Sequence, residues 1–159
     1  MQTQIPHILD IQVEETLWND LKIDFEALFR KLFNSVCLKL DEKKRFELNI
    51  LLTSDDRMQS LNAQFRGKDK PTNVLSFESG LRDEKMQPVY LGDLVFGYGI
   101  IHAEAAEENK SFIHHFTHLI IHGILHLFGH DHEDNDDAET MESLEIGILQ
   151  TLDIPNPYL

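Results

Sequence analysis

A single cysteine, Cys37, leaves the chain without an intramolecular disulfide, and one lone thiol fits a reducing cytoplasm with no disulfide-linked partner. No run of eighteen apolar residues occurs, which argues against a transmembrane helix and a membrane partner. The opening residues, MQTQIPHILDIQVEE, lack a basic segment followed by an apolar block, so no secretory signal is expected. Positive charge is scarce: 14 Lys and Arg stand against 28 Asp and Glu, a net charge of -14. That balance argues against a grip on an extended nucleic-acid duplex. The shortage is uneven, however. From Ser111 to Leu159 there is no Lys or Arg and there are nine acids. From Asp41 to Lys70 seven basic residues face six acidic ones, with Arg66, Lys68 and Lys70 close together. A short, local hold on phosphate stays open, and any bound cation would add to it.

What is present suits one compact domain spanning 1–159, long enough to bury a continuous core. HILDIQVEE alternates as a strand. In WNDLKIDFEALFRKLFNSVCLKL, Leu21, Phe25, Leu28, Phe29, Leu32 and Val36 repeat at a helical period; Cys37 lies within that pattern as a small buried hydrophobe. RFELNILLTS reads as a strand with Phe46, Leu48 and Ile50 on one face. SDDRMQSLNAQF reads as a helix capped by Ser54 or Asp55. TNVLSFES and VYLGDLVFGY are two further strands. Helices follow around IIHAEAAEEN, from about Ser111 to Phe128, and over DDAETMESLEIGILQTL. Four strands mixed irregularly with helices predict an α+β fold, a sheet of roughly four strands with helices packed on it.

Seven of the nine histidines fall between His114 and His132, four of them within HGILHLFGHDH. On a helix, His122 and His126 stand one turn apart on the same face, the spacing at which two imidazoles reach one metal ion. Gly129 can then end the helix in a left-handed turn, letting His132 close on the same ion. Three protein nitrogens with an open position is the pattern of a catalytic zinc. The expected metal site therefore lies at the end of a buried, histidine-bearing helix. His118 competes for a place, being also one turn from His122. It stands roughly 12 Å along the axis from His126, so both cannot share one ion with His122 between them. His114, His115 and His118 suit ordinary hydrogen bonds, with His115 or His118 also able to support a ligand from behind. His130, beside His132, is an alternative third ligand.

The spacing H-x-x-x-H-x-x-G-x-x-H is shared with metzincin proteases, which carry a glutamate base directly after the first histidine. Here that residue is Gly123, which cannot accept a proton, so peptide hydrolysis by that route is not expected. Together with RGKDKPTNVLSF, Arg66 to Phe77, and LGDLVF around Asp93, the histidine segment resembles the YbeY family of bacterial metal-dependent endoribonucleases, or rRNA maturation factors. The two long motifs carry the likeness from about Arg57 onward, and the first fifty residues match in pattern only. The family usually has tyrosine where this chain has His130.

The resemblance implies a single-domain α+β fold, one zinc ion held by His122, His126 and His132, and a functional arginine at Arg66. It also implies single-strand-specific action on ribosomal RNA of the small subunit, chiefly maturation of the 3′ end of 16S rRNA, and a part in ribosome quality control. The chemistry is consistent: zinc on three neutral imidazoles lowers the pKa of its water toward about 7 without a carboxylate base. A guanidinium fork such as that of Arg66 matches the charge that builds on non-bridging phosphate oxygens, with Lys68 and Lys70 as phosphate-holding neighbours. Asp69 and Asp131 are the acids nearest in sequence, suited either to orienting a group or to exposed turns. Asp93, after a glycine in a strand pattern, is an unusual placement for a charge, open either to a support role near the site or to a purely structural one. Attack by zinc hydroxide and attack by the RNA 2′-hydroxyl both stay open. The alternative function is a ribosome-assembly or RNA-binding factor with a structural zinc and little nuclease activity.

Overall fold

The computed structural model describes residues 5–80, 83, 85–131 and 133–159. Four strands, β1 (Ile8–Val13), β2 (Phe46–Thr53), β3 (Val74–Glu78) and β4 (Val89–Gly97), form one sheet in the order β1-β2-β4-β3. The first three positions run parallel and β3 is antiparallel to β4. The expected α+β arrangement of four strands and packed helices is what the chain forms.

Alternation along β2 explains how two faces arise. Phe46, Leu48, Ile50 and Leu52 are buried on one face, where helix α1 (Phe25–Leu40) and helix α4 (Phe112–Leu127) cover them and form the main core. On the other face a smaller cluster of Met58, Leu75 and Val95 lies under helix α2 (Asp55–Arg66). Strand β4 serves both faces because of a bulge. Glu47 pairs with Tyr90 but Leu48 pairs with Gly92, so Leu91 is the extra residue and the alternation shifts by one. Val89, Leu91, Leu94 and Phe96 consequently all join the main core, and Tyr90, Asp93 and Val95 are left to the other side.

The first helix begins later than its apolar period suggests. Thr16–Leu21 forms a 3-10 turn, Lys22 takes a left-handed conformation at φ 54°, and α1 starts afresh at Phe25, capped by Asp24. Packing is the reason. The break lets Trp18 turn inward, fully buried, with its indole N–H donated to the Thr53 carbonyl at 3.0 Å. Phe25, Tyr98, Phe112 and Phe116 surround that ring at centroid distances of 5.0 to 6.0 Å, and each aromatic pair adds about 0.5–1.5 kcal/mol beyond area burial. For α2 the cap is Ser54, whose hydroxyl accepts from the Arg57 N–H. Helix α3 (Tyr98–Glu107) leads into α4, and helix α5 (Asn135–Thr151) packs beside it.

Candidate metal centre and adjoining basic edge

Helix α4 is apolar nearly all round, as a helix inside a core must be. Between His115 and Leu127 its only residues not fully buried are His118, His122 and His126. Beyond its exposed first turn at Ile113 and His114, this histidine stripe is where the helix reaches solvent. The helix lies close on the sheet at Gly123. A Cβ there would stand 2.8 Å from Leu94 Cδ2 and 3.5 Å from Val74 Cγ2 and Ser76 Oγ. A glutamate at this position, as in the proteases sharing the spacing, has no room.

At the open stripe the two imidazoles converge. His122 Nε2 and His126 Nε2 are 3.2 Å apart, with ring planes at 80°. Two nitrogens bound at 2.0–2.1 Å in a tetrahedral shell stand roughly 3.3 Å apart, so this donor pair fits a single small cation. His122 is held from behind by Glu145 of α5, whose Oε1 accepts from Nδ1 at 2.7 Å. That bond leaves the proton on Nδ1 and turns the Nε2 lone pair toward His126. Glu145 is fully buried. It also accepts from His118 Nε2 at 3.3 Å and from the Tyr158 hydroxyl at 2.7 Å. Burial raises the carboxyl's pKa, and the hydrogen bonds from His118, His122 and Tyr158 outweigh that effect and bring it down to about 2. Burial and the same carboxylate push the Tyr158 phenol upward, so it stays a donor.

His118, His122 and Glu145 form a second group that could chelate a cation. The carboxylate between them is already satisfied by three donors, which is the signature of a hydrogen-bonded support. The His122/His126 pair instead brings two ring nitrogens together at a spacing at which neutral imidazoles can both turn a lone pair on one cation. His115 is buried on the other flank and bonds Glu104 at 3.1 Å, an ordinary structural contact.

After His126 the chain turns sharply. The Gly129 N–H reaches the His126 carbonyl and the His130 N–H reaches the Leu125 carbonyl, with Gly129 at φ 95°; this is the left-handed helix ending expected at that glycine. His130 and Asp131 follow, both half-buried. His132, the expected third ligand, lies outside the described residues.

Arg66 sits on the free edge of β3. The Asn73 carbonyl and the Ser79 N–H both bond β4, so by the period of two the backbone groups of Ser76 face away from the sheet. Arg66 Nη2 donates to that Ser76 carbonyl at 2.8 Å, capping an edge that would otherwise be open. On the α4 side the Ser76 hydroxyl donates to the Gly123 carbonyl at 3.5 Å. Arg66 and the residue next to His122 are therefore tied to the same edge-strand residue. The loop carrying Lys68 and Lys70 is anchored by α2: Asn62 donates to the Lys70 carbonyl at 2.9 Å and Gln59 to Asp69 Oδ1 at 3.0 Å. Asp69 thus shapes the loop, and both lysines are exposed. Asp93 is not gathered with the histidines. It lies on the opposite face of β4 from Leu94, accepts from the Tyr90 hydroxyl, and lines a hollow with Asp10, Gln12 and Asn49.

Glu145 is the residue of this candidate site that the motifs did not point to. Its signal was present: a carboxylate in line with Met141, Ile148 and Leu149 on the apolar stripe of the last helix.

A mixed sheet carrying a largely buried helix with a solvent-reaching pair of convergent imidazoles, and an arginine on the neighbouring strand edge, defines an α+β fold with a candidate metal centre. The comparisons name the family. The model of the family Endoribonuclease YbeY matches residues 11–153, and the chain belongs to that family. Endoribonuclease YbeY of Chelativorans sp. (strain BNC1) is 48% identical over 83% of this chain and 82% of its own length. That of Magnetococcus marinus is 49% identical over 71% and 83%, and that of Francisella tularensis (strain FSC 198) 45% identical over 77% of each. The solution structure of TM1509 from Thermotoga maritima is similar at a TM-score of 0.57 and 29% identity, covering 92% of both chains.

Proposed function

We propose that the chain, as one domain, is a cytoplasmic, zinc-dependent endoribonuclease, specific for single strands, that acts on ribosomal RNA of the small subunit. Its task is maturation of the 3′ end of 16S rRNA, together with ribosome quality control. The observation that carries this reading is the 3.2 Å convergence of two Nε2 atoms on the solvent-reaching stripe of a largely buried helix. The relatives' shared name, Endoribonuclease YbeY, supports the substrate class.

His122 and His126 would hold the ion as neutral imidazoles, with His132 from the following turn as the third ligand. When bound, zinc supplies Lewis acidity and lowers the pKa of water toward about 7. Glu145 takes the Nδ1–H of His122 and so keeps that ring in its ligating tautomer. Gly123 offers no side-chain base beside the pair. Arg66 places a delocalised cation where charge builds on the phosphodiester, a geometry its fork can meet with two hydrogen bonds. Lys68 and Lys70, on their anchored loop, hold flanking phosphates.

The test is direct. Arg66→Glu is expected to keep its metal and lose RNA cleavage, whereas His126→Ala loses both; metal content by mass spectrometry and cleavage of single-stranded RNA are the readouts. Full cleavage by Arg66→Glu would reject the phosphate role. Unchanged metal in His126→Ala would reject the ligand assignment.

A further inference from the structure

Helix α2 ends on an aromatic that the metal chemistry does not use. Phe65 is 53% exposed. It rests edge-on against Phe77 of β3, with centroids 5.3 Å apart and planes at 70°. Phe77 is itself packed on the Met58, Leu75 and Val95 cluster, so Phe65 has a rigid support. The Arg66 guanidinium lies over the Phe77 ring, 4.9 Å from its centroid, while its Nη2 is fixed to the Ser76 carbonyl. A single exposed phenylalanine is unremarkable in itself. This one is distinguished by its setting. Arg66, Lys68 and Lys70 are all exposed beside it, and none of the three joins an ion pair among the described residues. In a chain with twice as many acids as bases, that leaves one rim where an open aromatic and unpaired cations coincide.

We infer that Phe65, braced by Phe77, is a stacking platform for an unpaired RNA base whose flanking phosphates are held by Arg66, Lys68 and Lys70. Every base has a π-face, so the contact is tolerant of sequence and requires a base that is out of its helix. A duplex keeps its bases stacked on one another and cannot offer a face to Phe65. The platform would therefore contribute selectivity for single strands, through a residue on the far side of Arg66 from the histidine pair. This inference rests on the ribonuclease reading, and its test separates the two.

Affinity for a short single-stranded RNA is measured by fluorescence anisotropy for the wild type and for Phe65→Ala, Phe65→Leu and Phe65→Trp. The probe is checked intact by gel electrophoresis, and circular dichroism checks the fold of each variant. Alanine and leucine are expected to weaken binding by roughly 5- to 100-fold, the usual loss per stacked base, and tryptophan to retain it. The loss should be similar at low and high salt, whereas Lys68→Ala should flatten the salt dependence. With an oligonucleotide of the same length lacking bases, all four proteins should bind alike. Wild-type affinity in Phe65→Leu, or an equal loss on the baseless probe, overturns the platform and leaves the ribonuclease reading standing. A wild type that binds no single-stranded RNA overturns both.

Discussion

Glu145 shows how one residue can govern a site it does not enter. Its carboxylate is fully buried and receives His118, His122 and Tyr158 from two other segments of the chain. Glu145→Gln keeps an acceptor for His122 Nδ1–H but removes the charge that makes the imidazole a stronger ligand. Zinc affinity, measured by competition with a chromogenic chelator, is expected to fall about 10- to 100-fold, with the protein still folded. Affinity equal to the wild type would show that the carboxylate does nothing for the metal. His7 offers a separate check. Burial, with Arg30 and Arg45 nearby, lowers its pKa to about 4, and its Nδ1 accepts from the Phe46 N–H at 3.0 Å. The unfolded chain therefore binds a proton near pH 6.5 that the folded chain refuses until about pH 4. Stability should decline as pH falls through that window and level off below it, by about 3 kcal/mol. His7→Asn, which retains an acceptor, should be less stable at neutral pH but show a shallower decline in urea titrations between pH 7 and pH 4.

Among the elements, α4 depends on how closely it can lie on the sheet. Helix propensity favours alanine over glycine by about 1 kcal/mol, yet a Cβ at Gly123 meets Leu94 Cδ2 at 2.8 Å. Leu94 is fully buried within the main core, so its methyl must shift against packed neighbours. The overpacking cost, about 1–3 kcal/mol, exceeds the propensity gain. Gly123→Ala should therefore lower the urea midpoint, and the double variant with Leu94→Ala should recover part of what the two single changes lose separately. An unchanged midpoint in Gly123→Ala would mean that the helix rides higher than described. The same close approach explains why the residue after His122 is not an acid: the position faces the sheet, and the histidines face solvent.

The molecule as a whole carries its core away from the site. The main cluster joins α1, α4, α5 and the sheet through side chains such as Trp18, Phe29, Leu48, Phe96, Phe116 and Ile120, none of which belongs to the proposed site. Removing metal should leave a folded protein that unfolds cooperatively, and added zinc should raise the melting temperature with concentration, as binding to the native state alone requires. Loss of near-ultraviolet circular dichroism on chelation would make the metal structural and favour the assembly-factor alternative. No helix among the described residues is long and apolar enough to cross a membrane.

The sequence by itself determined what is local. Helical period, capping residues and strand alternation set the elements to within a few residues, and the one-turn spacing of His122 and His126 with Gly129 beyond them determined which imidazoles could share an ion. Those signals act over one or two turns and need no partner. Only the tertiary structure decided the rest. Trp18 broke the first helix to reach the core, and the bulge at Leu91 sent Asp93 to the face opposite the histidines. Glu145, 23 residues beyond His122, became its support. Arg66 became the cap of a strand edge ten residues away. Each of these is settled by which surfaces must be buried together and which polar groups then need partners, a condition on the packed chain that no short stretch contains.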